Sequence, residues 1–183
     1  MRVLAISGSL RTGSYNTALA RAAARLAPDG VEVELFGGLH ELPLFDADLE
    51  GGENEAIRHL RESVDDADAV LFVTPEYNGS IPGVLKNAVD WASRPREDAA
   101  LRNKTVAVAG ASPGQYGALW AQQDLRRVLG VAGARVISGE LPVGKAHNAF
   151  DESGTLTSPL VAERLRNHLA ALVLEASPLT VAA

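Results

Sequence analysis

The 183-residue chain has no cysteine, a single methionine and only 5% aromatic residues. Without a thiol there can be no disulfide scaffold, cysteine-bound zinc, iron–sulfur cluster or thiol catalysis, and the redox compartment stays open. Long apolar runs are absent as well. The first, Val3 to Ile6 behind Arg2, is shorter than the ~7–15 apolar residues of an export signal or the ~20 of a membrane span. A cytoplasmic protein without membrane attachment is the expectation. Positive charge is scarce: 17 Lys and Arg face 23 Asp and Glu, a net charge of −6. That argues against a nucleic-acid partner, and any anion must be held by a local device. His40, His59, His147 and His168 lack metal-ligand spacing, so no metal is expected. His59 and His168 read as ordinary surface or half-buried helix residues.

A chain of this length reads as one domain spanning 1–183, with 177–183 as a loose tail or a contact to a partner chain. Val3–Ile6, Ala69–Val73 and Thr105–Ala109 are nearly unbroken apolar runs, as expected of parallel strands covered on both faces. Val31–Phe36 alternates apolar and polar residues, the mark of an edge strand with one wet face. Ala134–Ile137 completes a set of five. Helical spacing fills the intervals: Leu19 to Leu26 after Ser14, Ile57 to Val64 after Glu53, Val84 to Trp91 after Pro82, Leu119 to Leu129 closed by Gly130, and Val161 to Leu172. Five βα units imply an α/β fold, a three-layer sandwich on a parallel sheet of order 2-1-3-4-5, which is flavodoxin-like. The stretches 37–52 and 139–158 read as long irregular loops.

In such a sheet ligands bind beyond the strand carboxyl ends, where strand order reverses, here between the first and third strands. The segment after the first strand, Ser7-Gly8-Ser9-Leu10-Arg11-Thr12-Gly13-Ser14-Tyr15-Asn16-Thr17, offers hydroxyls, a guanidinium, an amide and a helix N-terminus, the parts of a phosphate cradle. It lacks the spacing of dinucleotide or P-loop fingerprints. A Ser/Gly-rich turn without a ligand has the same composition. After the third strand, Pro75 and Pro82 bracket a stiff loop with Glu76, Tyr77, Asn78 and Gly79. Its main-chain amides must bond something other than a helix, which suits a flat heterocycle with acceptors along its edge. An ordinary turn before a helix remains the alternative.

Gly8-Ser9-Leu10-Arg11…Ser14-Tyr15-Asn16 and the run from Pro75 through Trp91 together resemble the NADPH-dependent FMN reductase family, as does Phe150 to Leu156. The resemblance implies that Ser9, Arg11, Ser14, Asn16 and Thr17 hold the FMN phosphate. It implies that Pro75, Glu76, Tyr77, Asn78 and Gly79 line the isoalloxazine ring, and that Ser112, in the loop Ala111 to Gly114, closes the third side. It also implies FMN as cofactor, NADPH or NADH as co-substrate, a small-molecule electron acceptor, and a homodimer or tetramer. No catalytic side chain is assigned, because hydride transfer needs none. A flavodoxin-type electron carrier, or a flavin-based redox sensor, remains open, although the threonine-rich phosphate loop of such carriers is missing.

One motif points elsewhere. Gly110-Ala111-Ser112-Pro113-Gly114 matches the G-x-S-x-G of α/β-hydrolases, with Asp124 and His147, or Asp151 and His168, in the right chain order. The residue after the serine should donate its N–H to the oxyanion, and Pro113 has none.

Overall fold

The computed structural model describes residues 1–52 and 54–177. The expected helix start at Glu53 and most of the tail, 178–183, lie outside the described residues. β1 (Arg2–Ser7), β3 (Ala69–Val73) and β4 (Thr105–Ala111) form the middle of one parallel sheet. Every residue of β3 and β4 is buried, as their unbroken apolar sequences require. β2 (Glu32–Leu35) pairs only with β1, from Arg2↔Glu32 to Ala5↔Leu35, and is the expected edge strand. The strand order is β2-β1-β3-β4-β5, the flavodoxin-like arrangement.

The far edge differs from expectation. Its strand comes in two pieces, β5 (Arg135–Val136) and β6 (Leu141–Val143), both parallel to β4. The second piece lies in a stretch that reads as irregular. Between them the chain leaves the ladder at Gly139, which has φ 82°, and three helix side chains bond the exposed backbone. Arg126 Nη1 donates to the carbonyls of Ile137 (2.6 Å) and Gly139 (2.9 Å). Gln122 Oε1 accepts from the Leu141 amide (3.0 Å). His168 Nε2 donates to the Val108 carbonyl (3.1 Å), which the broken edge leaves without a strand partner. His168 is thus buried and bonded, a correction to its reading as an ordinary surface or half-buried residue.

Successive strand residues face opposite sides, so the sheet carries two cores. On one side α1 (Tyr15–Arg25) and α5 (Pro159–Ala176) pack Leu19, Ala22, Leu165 and Leu169 on Val3, Ala5, Leu71 and Ala107. On the other, α2 (Glu55–Asp65), α3 (Gly83–Ala92) and α4 (Leu119–Val131) pack Ile57, Leu60, Leu85, Trp91 and Leu125 on Leu4, Ile6, Phe72 and Val108. α4 runs through Gly130 and ends before Gly133, whose φ of 94° turns the chain. Residues 43–50 are strapped to α3. The Pro43 carbonyl accepts from both Asn87 Nδ2 (2.8 Å) and Trp91 Nε1 (2.8 Å), and Asn87 Oδ1 accepts from the Phe45 amide (2.7 Å). Arg94 pairs with Glu50 at 3.1 Å. Among the described residues no helix is long and apolar enough to cross a membrane, and no three carboxylates or histidines converge as a metal site.

Candidate functional site

Three loops meet at the carboxyl edge of the sheet, after β1, β3 and β4. The first two touch through Gly8, whose amide donates to the Val73 carbonyl (2.8 Å). A Cβ on Gly8 would stand 2.8 Å from Leu85 Cδ2 and 3.2 Å from Leu85 Cβ and Pro82 Cγ, so a larger residue there would have to displace the Leu85 side chain. Buried Ser14 caps α1, its hydroxyl accepting from the amides of Asn16 (3.2 Å) and Thr17 (3.4 Å). The Thr17 hydroxyl bonds Ser7 Oγ (2.9 Å), and Ser9 Oγ accepts from the Arg11 amide (3.4 Å). Among the described residues the exposed Arg11 guanidinium makes one long contact, to the Thr12 carbonyl (3.5 Å). A cavity of about 250 Å³ opens between this loop and the segment after β2, lined by Ser7, Ser9, Arg11, Thr12, Phe36 and His40.

Asn16 sits differently from an open phosphate ligand. It is buried, and its side chain forms a two-bond clamp on the end of β4. Nδ2 donates to the Ala111 carbonyl (3.0 Å) while Oδ1 accepts from the Ala111 amide (2.8 Å). One side-chain N–H is left over. The clamp joins the first loop to the third, which carries Ser112.

The second loop is a tight hairpin. Tyr77 and Ser80 exchange both main-chain bonds (3.0 and 3.1 Å) around Asn78 (φ 53°) and Gly79 (φ 76°), the two left-handed positions that such a turn demands. The Tyr77 amide is therefore spent. Among the described residues the amides of Glu76, Asn78 and Gly79 have no protein acceptor. Pro75 is buried, and Tyr77, Asn78 and Gly79 are exposed. Glu76 is tied to α4: its Oε2 accepts from the Ala121 amide (3.2 Å) in the first turn of that helix. This carboxylate supplies the cap that Ala118 cannot. Ser80 Oγ donates to Asp124 Oδ2 (2.5 Å), and Arg127 pairs with the other carboxylate oxygen (2.7 Å). Those two partners hold the Asp124 carboxyl below its ordinary range, the Ser80 hydroxyl contributing most.

The third loop lies flat on residues 143–146. The Ser112 amide donates to the Val143 carbonyl (3.1 Å), the Ser112 carbonyl accepts from the Ala146 amide (3.0 Å), and the Lys145 amide donates to the Gly114 carbonyl (2.8 Å). Among the described residues the Ser112 hydroxyl has only the Gly114 carbonyl, at 3.5 Å. Neither hydrolase triad assembles. Asp124 is engaged by Ser80 and Arg127, Asp151 by Ser153 and Thr155, and His168 by Val108. Residues 150–156, the third familial stretch, form a small hairpin. Phe150 bridges Leu156 and lies 5.9 Å from the Tyr15 ring at the start of α1.

Sequence reasoning placed these loops and missed the ties between them. Glu76 to Ala121 spans 45 residues and Asn16 to Ala111 spans 95, and nothing local marks either pair.

Residues 1–148 match the family model for NADPH-dependent FMN reductase. An NAD(P)H-dependent FMN reductase of Pseudomonas aeruginosa is 43% identical over 176 residues, covering 95% of this chain and 94% of that protein. A quinone reductase of Escherichia coli K12 is 37% identical over 172 residues, covering 92% and 89%. Among solved structures, the flavoenzyme NAD(P)H:(acceptor) oxidoreductase FerB from Paracoccus denitrificans superposes with a TM-score of 0.87 at 35% identity, over 96% of each chain. Sheet order, loop placement and sequence agree: the chain belongs to the NADPH-dependent FMN reductase family.

Proposed function

We propose that the protein binds FMN across its three carboxyl-edge loops and passes two electrons from NADPH or NADH to a small acceptor. The acceptors in view are quinones, azo compounds, metal oxyanions and free flavin. The observation that carries this reading is the hairpin 77–80, whose unbonded amides at Glu76, Asn78 and Gly79 stand next to a hydroxyl-lined loop and a helix N-terminus. A phosphate fits the first loop, where Ser9, Arg11 and Thr17 offer donors and the start of α1 adds partial positive charge. A flat heterocycle rich in acceptors fits the second, and Ser112 lies on the third side. Asn16 and Ser14 act as positioning residues that fix the cradle on β4 and α1.

FMN held by these loops would supply the redox chemistry, a two-electron relay between the nucleotide and the acceptor. The chain's part is orientation and charge stabilisation. Main-chain N–H groups beside the ring oppose negative charge without reorganising, by the logic of an oxyanion hole. We place the protein in a homodimer or tetramer, as the family resemblance implies, and in the cytoplasm.

An anaerobic visible spectrum tests the reading directly. The expected result is a flavin spectrum that bleaches on adding NADPH or NADH and recovers with a quinone. Flavin that stays oxidised with both nucleotides would instead assign an electron carrier or sensor. Gly79→Pro forces φ from +76° to about −65° and should abolish flavin retention, and Asn78→Ala should weaken it. Flavin binding and turnover intact in both variants would place the site elsewhere.

A further inference from the structure

The chain has few aromatic residues, and most face inward. The three exposed ones, Tyr77 (51%), Tyr116 (55%) and Trp120 (51%), all lie in the loops after β3 and β4 or in the first turn of α4. The other exposed large apolar side chains are aliphatic, among them Leu10, Leu44 and Leu160, and exposed rings gathered at one edge mark a contact site. The rings of Tyr116 and Trp120 are 5.1 Å apart and inclined at 47°, a tilted pair that does not bury one face on the other.

The backbone under this pair follows an unusual path. Gly117 (φ 59°) and Ala118 (φ 61°) are consecutive left-handed residues, a conformation that alanine seldom adopts. Gly117 is wedged so tightly that a Cβ would stand 2.5 Å from the Val143 amide nitrogen. Such strain clusters at functional sites. The first two turns of α4 are also tied twice to the hairpin, by Glu76 to the Ala121 amide (3.2 Å) and by Ser80 to Asp124 (2.5 Å). Trp120 and Tyr77 are the chain neighbours of the two ends of the first tie. The exposed rings are thereby fixed against the loop whose free amides mark the flavin position.

We infer that Tyr116 and Trp120 form an acceptor subsite, a platform that selects flat conjugated acceptors, such as bicyclic quinones, over compact metal oxyanions. This inference rests on the flavoenzyme reading above. An oxyanion has no π face to stack on the rings, and neither side chain carries a charge to attract it. A fused quinone gains stacking and apolar burial from both. The net reaction balances as NAD(P)H, one solvent proton and a quinone giving NAD(P)+ and the hydroquinone; the quinone gains two electrons and two protons.

The test compares kcat/KM for 1,4-naphthoquinone with that for ferricyanide, a compact anion, in the FMN-loaded wild type, Trp120→Ala, Tyr116→Ala and the double variant. The naphthoquinone-to-ferricyanide ratio should fall about tenfold in the double variant, mostly through the quinone KM, consistent with the stacking energies of aromatic pairs. Trp120→Phe should recover most of it. An unchanged ratio in the double variant overturns the subsite. So does an unchanged ratio accompanied by elution as a smaller species, which assigns the pair to a contact between two copies of the chain. The two levels separate cleanly: absence of NADPH-dependent bleaching in the wild type overturns the flavoenzyme reading and the subsite with it. Normal bleaching with an unchanged ratio overturns the subsite alone.

Discussion

His168 is the one buried histidine of the chain, and its role is structural. Its Nε2–H completes the hydrogen bonding of Val108 in β4 at 3.1 Å, where the broken edge strand offers no partner. Burial lowers its pKa, the backbone bond opposes that shift, and the charges of Arg126 and Arg164 lower it further. The sign of the pH dependence follows. The unfolded chain takes up the proton first, at the ordinary value of about 6.5. The stabilisation is therefore complete above that pH and is lost as pH falls from it through the lower folded-state value. His168→Leu should cost about 1–3 kcal/mol at pH 8, because a buried carbonyl is left unpaired. Urea unfolding at pH 8 and pH 5 should show the gap between wild type and variant narrowing at the lower pH. A gap independent of pH would show that His168 takes up its proton equally in the folded and unfolded chain, with no shift from burial. Asn16 belongs to the same scale. Its place in the first motif resembles that of a phosphate ligand, yet its oxygen and one N–H go to Ala111. Residue type and position identified the loop, while the clamp depends on a strand end 95 residues away.

At the scale of elements, β1, β3 and β4 were legible because strands covered on both faces must be apolar at every position, and β2 because an edge strand alternates. The far edge was not. Leu141-Pro142-Val143 is three residues long, contains a proline, and is flanked by Gly139 and Gly144, so no periodicity could develop. Gln122 bonds the Leu141 amide, while Arg126 holds Ile137 and Gly139 before it and His168 bonds Val108 at the break, and these contacts exist only after folding. The long motif ending in Trp91 has a similar lesson. Asn87 holds the segment 43–50 on α3 through the Pro43 carbonyl, and Trp91, whose ring fills the core, adds its Nε1–H to the same carbonyl. Removing the Asn87 amide deletes two of those bonds, including the acceptor for the Phe45 amide. Asn87→Ala should speed proteolytic nicking between residues 43 and 52 severalfold and cost about 1–3 kcal/mol in urea unfolding. A variant cut no faster than wild type would mean that the Trp91 bond and the Arg94–Glu50 pair suffice to hold the strap.

Across the whole molecule, core and site are separable. Two apolar layers enclose the sheet, while Arg11, Asn78 and Gly79 are exposed and Ser9 is half-buried. Ligand binding can therefore be altered without disturbing the fold. The net charge of −6 works against an anionic cofactor, so the local cation matters more than it would on a neutral protein. Arg11 tests this argument best, since its side chain has only the 3.5 Å contact to the Thr12 carbonyl and no carboxylate within 4 Å among the described residues. Arg11→Ala should leave the unfolding midpoint of the FMN-free protein within about 0.5 kcal/mol of wild type. A charge-assisted hydrogen bond to phosphate contributes roughly 1.5–3 kcal/mol, so the FMN dissociation constant should rise about 10- to 100-fold. Linkage supplies a second readout. FMN at about 100 times the wild-type dissociation constant stabilises by about 2.7 kcal/mol, which falls to about 1.4 kcal/mol or less in the variant at the same concentration. Added salt should erode FMN affinity in the wild type more than in the variant, because screening acts on the charge that was removed. Equal affinities at both salt levels would move the phosphate away from Arg11 and leave the hydroxyls and the α1 terminus to hold it.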